Sequence, residues 1–136
     1  MRGDIVHVEG FQFSDRSRGN KFAVVLNSPN PADPILVIKT TSNPARYAGA
    51  VEGCNQKLKV FLLRGNTRKA LPVDTYIQLD EIFEFEQSDF EEGKHKKKIQ
   101  KADFLPDQIF HAVKNCLKLL REDIPTRIFD VLFSKQ

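Results

Sequence analysis

Hydrophobic and polar positions alternate in short runs over the first two thirds of the chain. Residues 4–9 read DIVHVE, with Val6 and Val8 on one face and Ile5 and His7 on the other, which is typical of a β-strand. Further strands are predicted at the apolar or alternating runs 22–27, 35–41, 57–63, 75–79 and 82–86. The loops between these runs are rich in Gly, Pro, Ser and Asn, which favour turns.

From Pro106 onward the apolar residues recur at helical spacing. This predicts one amphipathic helix over residues 106–121 and a second, short helix over residues 124–133. Residues 87–98, QSDFEEGKHKKK, are interpreted as a solvated hairpin tip. Five to seven short strands followed by a helix predict a mainly β domain with a C-terminal helix, folded as a small curved barrel. The predicted core contains Val6, Val24, Leu36, Val60 and Ile77.

Composition adds modest constraints. The chain has 136 residues, 40% of them hydrophobic and 29% charged, which suits one globular domain. A net charge of +3 is compatible with a polyanionic partner. No signal peptide and no membrane span is recognisable, so a cytoplasmic location is expected. In that compartment Cys54 and Cys116 are predicted to be reduced thiols, with a disulfide left open as the alternative.

Motifs for cofactors and metals are missing. The chain has no glycine-rich phosphate loop, no HExxH and no cluster of Cys and His, so neither a cofactor nor a metal is predicted. The three histidines, His7, His95 and His111, are scattered along the chain. A structural or solvated role is favoured for each of them over a catalytic one.

What remains is a set of loops that carry cations and hydroxyl groups, followed by a carboxylate. They contain Arg16, Arg18 and Lys21; Thr40, Thr41, Ser42 and Arg46; Arg64, Arg68 and Lys69; and then Asp74. Cations and hydroxyls hold phosphates, and a carboxylate beside them can take a proton from a ribose 2′-hydroxyl. The alternative is that these loops are merely solvated and that Asp74 caps a turn.

Four segments resemble the MazF/PemK family, the endoribonuclease toxins of bacterial toxin–antitoxin modules, and its Kid-like branch in particular. They are RGDIVHV (2–8), KFAVVLNSP (21–29), VIKTTSNPARYAGAV (37–51) and VDTYIQLDEI (73–82), which contains Asp74 and, six residues later, Asp80. The resemblance extends from about residue 2 to residue 121. The chain is therefore interpreted as a single MazF/PemK-like domain over residues 1–136, with 122–136 as a C-terminal extension.

The resemblance implies an SH3-like barrel, a homodimer and a cognate antitoxin that lies over the RNA groove and links the pair to operator DNA. It implies cleavage of single-stranded RNA without a metal, by attack of the 2′-hydroxyl to give a cyclic phosphate. The implied site contains Asp74 as general base with Thr40, Thr41 and Lys21 as catalytic partners; the implied RNA-binding residues are Arg16, Arg18, Ser42, Arg46 and Arg68.

Three positions depart from the family pattern. Lys21-Phe22 stands where the family has Arg-Pro, and Pro72 stands where Kid-like members have an arginine. The segment 11–20 has no counterpart of their loop histidine. Two alternatives therefore remain: a non-catalytic toxin that poisons a protein target, and a nucleic-acid-binding module without activity.

Overall fold

The computed structural model describes residues 1–12 and 18–133, without the side chains of residues 11, 12 and 18–20. The elements in chain order are β1 Asp4–Gln12, β2 Arg18–Val25, β3 Ile35–Thr41, β4 Gly53–Asn55, β5 Val60–Leu63, β6 Thr75–Phe85, α1 Gln87–His95, β7 Ile99–Phe104, α2 Asp107–Lys118 and α3 Thr126–Phe133. Two short 3-10 turns lie at Pro44–Arg46 and Arg121–Asp123. The predicted class, mainly β with a C-terminal helix, is confirmed.

The strands form one antiparallel sheet in the order β4-β5-β6-β3-β2-β1-β7. Strands β4 and β7 are its two edges, so the sheet is open within the part of the chain that the structure describes. The central strands β3 and β2 pair through residues 37–39 and 23–25. In this register the end of β3, which contains the polar residues Thr40 and Thr41, lies beside the first half of β2.

Alternation along the strands sends side chains to opposite faces of the sheet, and each face has its own core. Helices α2 and α3 cover one face, which contains Val24, Leu36 and Ile77. Val6 lies in a second cluster on the other face, and Val60 in a third, smaller one. All five predicted core residues are buried, as expected.

Residues 87–98 do not form the predicted hairpin tip. They contain helix α1, which is anchored by Phe90, 1% exposed and packed edge-to-face on Phe85 at 5.8 Å. Gly93 lets the helix approach β7, since a Cβ there would lie 2.6 Å from a side-chain carbon of Ile99. A helix held by one aromatic residue has no apolar periodicity, which explains why the pattern did not reveal it.

The two strands predicted at 75–79 and 82–86 form one long strand, β6. The charged residues between them are accommodated on it: Asp80 is exposed, and Glu81 lies 4.0 Å from Lys39 on β3. The pairing of β3 with β6 shifts from Ile38–Ile82 to Thr40–Ile77, so residues 78–81 of β6 stand opposite the single residue Lys39 and form a bulge on β6 itself. Charge in mid-strand therefore marked an irregularity in the pairing and not a turn.

The C-terminal part folds close to the prediction. Helix α2 is shorter than the predicted 106–121, and α3 lies within the predicted 124–133. Ile124, Ile128 and Leu132 belong to the main core cluster, so residues 124–133 cover the sheet together with α2. Among the described residues, none of the helices combines the length and apolar character that a membrane crossing needs.

The prediction of two reduced thiols was wrong in this structure. Cys54 on β4 and Cys116 on α2 form a disulfide, with their Cα atoms 5.7 Å apart. Helix α2 packs against β4, which brings two cysteines 62 residues apart in sequence within the distance that a disulfide requires.

Candidate functional site

A cleft of about 230 Å³ lies where β1, β2 and β3 meet the loop that precedes β6. Its lining residues are His7, Lys21, Phe22, Thr40, Thr41, Ser42, Ala70, Leu71, Pro72, Val73 and Thr75. We call it the β3-end cleft. It brings together four of the residues predicted for the site, Lys21, Thr40, Thr41 and Ser42.

Strand pairing brings the walls of the cleft together. On β1, His7 stands opposite Phe22 of β2, and their rings meet edge-to-face at 5.4 Å. The hydroxyl of Thr40 on β3 donates to the carbonyl oxygen of Phe22 at 2.8 Å. Three adjacent strands are thus joined at Phe22, and the preceding residue, Lys21, also lines the cleft.

The three hydroxyls at the end of β3 have different environments. Thr40 is 5% exposed, and its proton is engaged with the backbone of β2, so it holds strands together. The oxygen of Thr41 accepts from the N–H of Asn43 at 3.2 Å, a bond that leaves its proton available for another acceptor. Ser42 is exposed. Thr41 and Ser42 therefore suit the role of donors to an anion better than Thr40 does.

The turn after β3 has a local cause. The side-chain oxygen of Asn43 accepts from the N–H of Ala45 at 3.0 Å, and Pro44 starts the 3-10 turn. This turn presents Arg46 to solvent, with its guanidinium 5.6 Å from the ring centroid of Tyr47. Arg46 does not line the cleft; it lies on the turn that follows the cleft's hydroxyl groups.

The remaining predicted cations lie elsewhere or outside the described residues. Arg16 is not described, and of Arg18 only the backbone is, paired with Gln12. Arg68 forms an ion pair of 2.8 Å with Asp103 on β7, and its guanidinium lies 4.3 Å from the ring centroid of Phe104. Arg68 is thus committed to joining the loop 64–74 to β7.

Asp103 is held in its ionised form at this junction. The N–H of Phe104 at 2.8 Å, together with Arg68 and the N–H of Ala70 at 3.2 Å, lowers the pKa of Asp103 against the opposing effect of burial. An ionised carboxylate with several donors is a weak proton acceptor. The structure therefore assigns Asp103 to the support of the loop 64–74, which forms one wall of the cleft.

Asp74, the predicted general base, lies just outside the lining of the cleft. Its carboxylate accepts from the N–H of Gly65 at 2.7 Å and pairs with Arg64 at 3.2 Å. Gly65 itself packs tightly, because a Cβ there would lie 2.8 Å from the carbonyl oxygen of Pro72. Both carboxylate oxygens of Asp74 thus close the loop 64–74, while its neighbours Val73 and Thr75 line the cleft.

His7 is the lining residue whose functional potential the sequence interpretation missed. It is partly exposed and shares its strand face with the core residue Ile5. A polar side chain at an inward-facing strand position was the available signal, but alternation alone cannot tell whether such a position meets core or cleft.

The chemistry of the lining is that of an anion site. Lys21 supplies positive charge, the hydroxyls supply hydrogen-bond donors, and His7 supplies an imidazole. Over the described ranges, no three His, Cys, Asp or Glu side chains lie close enough together to hold a metal ion. Comparison with protein-family models gave no match, and comparison with curated proteins gave none either.

Proposed function

We propose that this protein is an endoribonuclease that cleaves single-stranded RNA without a metal, and that it acts as the toxin of a type II toxin–antitoxin pair. The observation that supports this function best is the β3-end cleft, in which Lys21, Thr41 and Ser42 surround one opening with His7. A phosphodiester is the anion that such a mixture of a cation, hydroxyls and a proton-exchanging group suits.

Lys21 and the hydroxyls would act on the phosphate. As the 2′-oxygen attacks, negative charge accumulates on the phosphate oxygens, and a cation with donors already in place stabilises that charge more than it does the ground state. Ser42 and Arg46 follow along the chain, so the RNA strand would pass from the cleft over the turn 43–47. Lysine contacts phosphate as a point charge, without the two-pronged geometry of arginine.

The biological setting of the proposal depends on the family resemblance of the four sequence segments. It includes an SH3-like arrangement of the sheet, a homodimer, a cytoplasmic location and inhibition by an antitoxin that covers the RNA groove and contacts operator DNA. The mixed cation and hydroxyl lining of the cleft is compatible with an antitoxin that offers acidic side chains in place of phosphates.

A second candidate function is a nucleic-acid-binding module without catalysis. It is favoured by the bonds of Asp74 and Thr40: both groups, predicted to be catalytic, have partners within the fold. Under this alternative the cleft would bind a phosphate and leave it intact.

The deciding experiment is incubation of the purified protein with a long RNA in EDTA, followed by mapping of the ends. We expect cleavage that leaves a 2′,3′-cyclic phosphate and a 5′-hydroxyl, and no cleavage where the nucleotide on the 5′ side of the cut carries a 2′-deoxyribose. Lys21→Gln should lose cleavage, and the matched variant Lys57→Gln, at an exposed loop position, should keep it. RNA that stays intact but is bound would select the second candidate.

A further inference from the structure

We propose that His7 is the general base of the cleft and takes the proton from the attacking 2′-hydroxyl. This inference depends on the proposed function and names the catalytic group within it. It starts from the position of His7 on β1, where its ring packs on Phe22 and lines the cleft together with Thr41 and Lys21.

The other ionisable groups at the cleft are less suited to accept a proton. Lys21, the second titratable residue of the lining, carries a cation that donates hydrogen bonds and cannot accept them while charged. Asp74 does not line the cleft, and it directs one carboxylate oxygen to the N–H of Gly65 and the other to Arg64. His7 is therefore the group in the lining that can both reach a bound ribose and take up a proton.

The charged groups on the strand on the other side of β1 are already paired. Gln100 of β7 stands opposite His7, so the direct neighbour of the imidazole is uncharged. Next along β7, Lys101 pairs with Asp4 at 3.4 Å, and Asp103 pairs with Arg68. Each of these charges therefore has an opposite charge close to it.

In the proposed step the neutral imidazole of His7 takes the proton of the 2′-hydroxyl. The 2′-oxygen then forms a bond to the adjacent phosphorus, and the bond between phosphorus and the 5′-oxygen of the next nucleotide breaks. The departing 5′-oxygen takes a proton from water, and the imidazolium returns its proton to the hydroxide that remains. The products are a cyclic phosphate and a 5′-hydroxyl, and no co-reactant is consumed.

The test compares His7→Gln with the parent and with His111→Gln, which removes an exposed histidine on α2 far along the chain. We expect kcat/KM of His7→Gln to fall by about 10²–10⁴-fold, the usual contribution of a positioned base. RNA binding should persist. In the parent, cleavage should fall toward acidic pH as the base becomes protonated, and this acidic limb should disappear in His7→Gln.

Chemical rescue distinguishes the loss of the imidazole from a disturbance of strand β1 caused by the substitution of His7. Imidazole added to the buffer should restore part of the cleavage by His7→Gly, and it should not restore that of Lys21→Gln. A folded His7→Gln that cleaves at the parent rate with the same acidic limb would overturn the role of His7 and leave the endoribonuclease function standing. The role of His7 is likewise overturned if Asp74→Asn, and not His7→Gln, removes the acidic limb. A parent that leaves RNA intact at every pH overturns both proposals.

Discussion

Removal of the disulfide between Cys54 and Cys116 should lower the stability of the fold substantially. The bond closes a loop of 62 residues that includes β5, β6, α1 and β7. In the chain-entropy description, a cross-link over a loop of about 60 residues restricts the unfolded chain by an amount equivalent to about 4 kcal/mol. Measured effects are commonly smaller, so we expect a loss of about 2–4 kcal/mol in the free energy of unfolding.

The variant Cys54→Ser isolates the effect of the cross-link. Cys54 is exposed, so a serine there meets water, whereas Cys116 is 1% exposed and its replacement by serine would also bury a hydroxyl. For a chain of 136 residues, an unfolding entropy of about 2.1 cal/mol/K per residue converts about 3 kcal/mol into a decrease of about 10 °C in Tm.

The assay is thermal unfolding of the parent and of Cys54→Ser, each with and without a reductant, together with a count of free thiols in the denatured protein. Reductant should lower the Tm of the parent to that of the variant and leave the variant unchanged. Two reactive thiols per chain in the non-reduced parent, and a Tm that neither treatment alters, would refute the reasoning. In a reducing cytoplasm the reduced form is the relevant one, so its RNA cleavage should be measured as well.

Three further predictions concern the surroundings of the cleft. Asp74→Ala should lower the free energy of unfolding in urea by about 1–2 kcal/mol, because the N–H of Gly65 loses its acceptor. Asp74→Asn retains an oxygen for this N–H, so it should lose less stability and still cleave RNA. An Asp74→Asn variant that is fully stable but inactive would contradict this. The logarithm of the RNA-binding constant should decrease with the logarithm of the salt concentration at a slope of about −1.5 to −3. Arg46→Ala should make this slope less steep by about 0.7, the value for one phosphate contact on single strands. An unchanged slope would show that Arg46 does not contact the RNA. Because the pKa of Asp103 is lowered in the folded state, the ionised carboxylate stabilises the fold fully above the ordinary carboxyl range, and this stabilisation is lost as pH falls through the folded pKa. Asp103→Asn should therefore be less stable than the parent near neutral pH and approach the parent's stability in acid. Thermal unfolding of both proteins across this pH range would show the difference.

The sequence predicted those parts of the fold that repeat a pattern. Strands β1, β2 and β3 and helices α2 and α3 bury residues at regular spacing, so each could be placed to within a few positions. Helix α1 and strand β7 could not be predicted from the sequence pattern. They are held by single contacts, such as that of Phe90 with Phe85, and the partner residues come close only in the folded sheet.

The disulfide was missed for a similar reason. The prediction of free thiols used the expected compartment, which contains no information about distances within the fold. Cys116 falls within the helix predicted over residues 106–121, but the strand β4 that carries Cys54 is three residues long and has no pattern of its own. The register of β4 against β5 then determines where Cys54 lies.

The site differs from its sequence prediction in a way that bears on mechanism. Sequence order places Asp74 beside the cations of the loop 64–74, and the structure explains that proximity: Asp74 and Arg64 hold each other at the neck of that loop. His7 is 67 positions away from Asp74 in the chain, yet pairing of β1 with β2 brings it to the cleft wall beside Phe22. An acidic residue that lies close to cations in sequence often serves to neutralise them. A residue that accepts a proton in a reaction needs neighbours that do not already occupy its proton-accepting atoms. In this fold that requirement favours His7 over Asp74, since the carboxylate of Asp74 has both of its oxygens engaged.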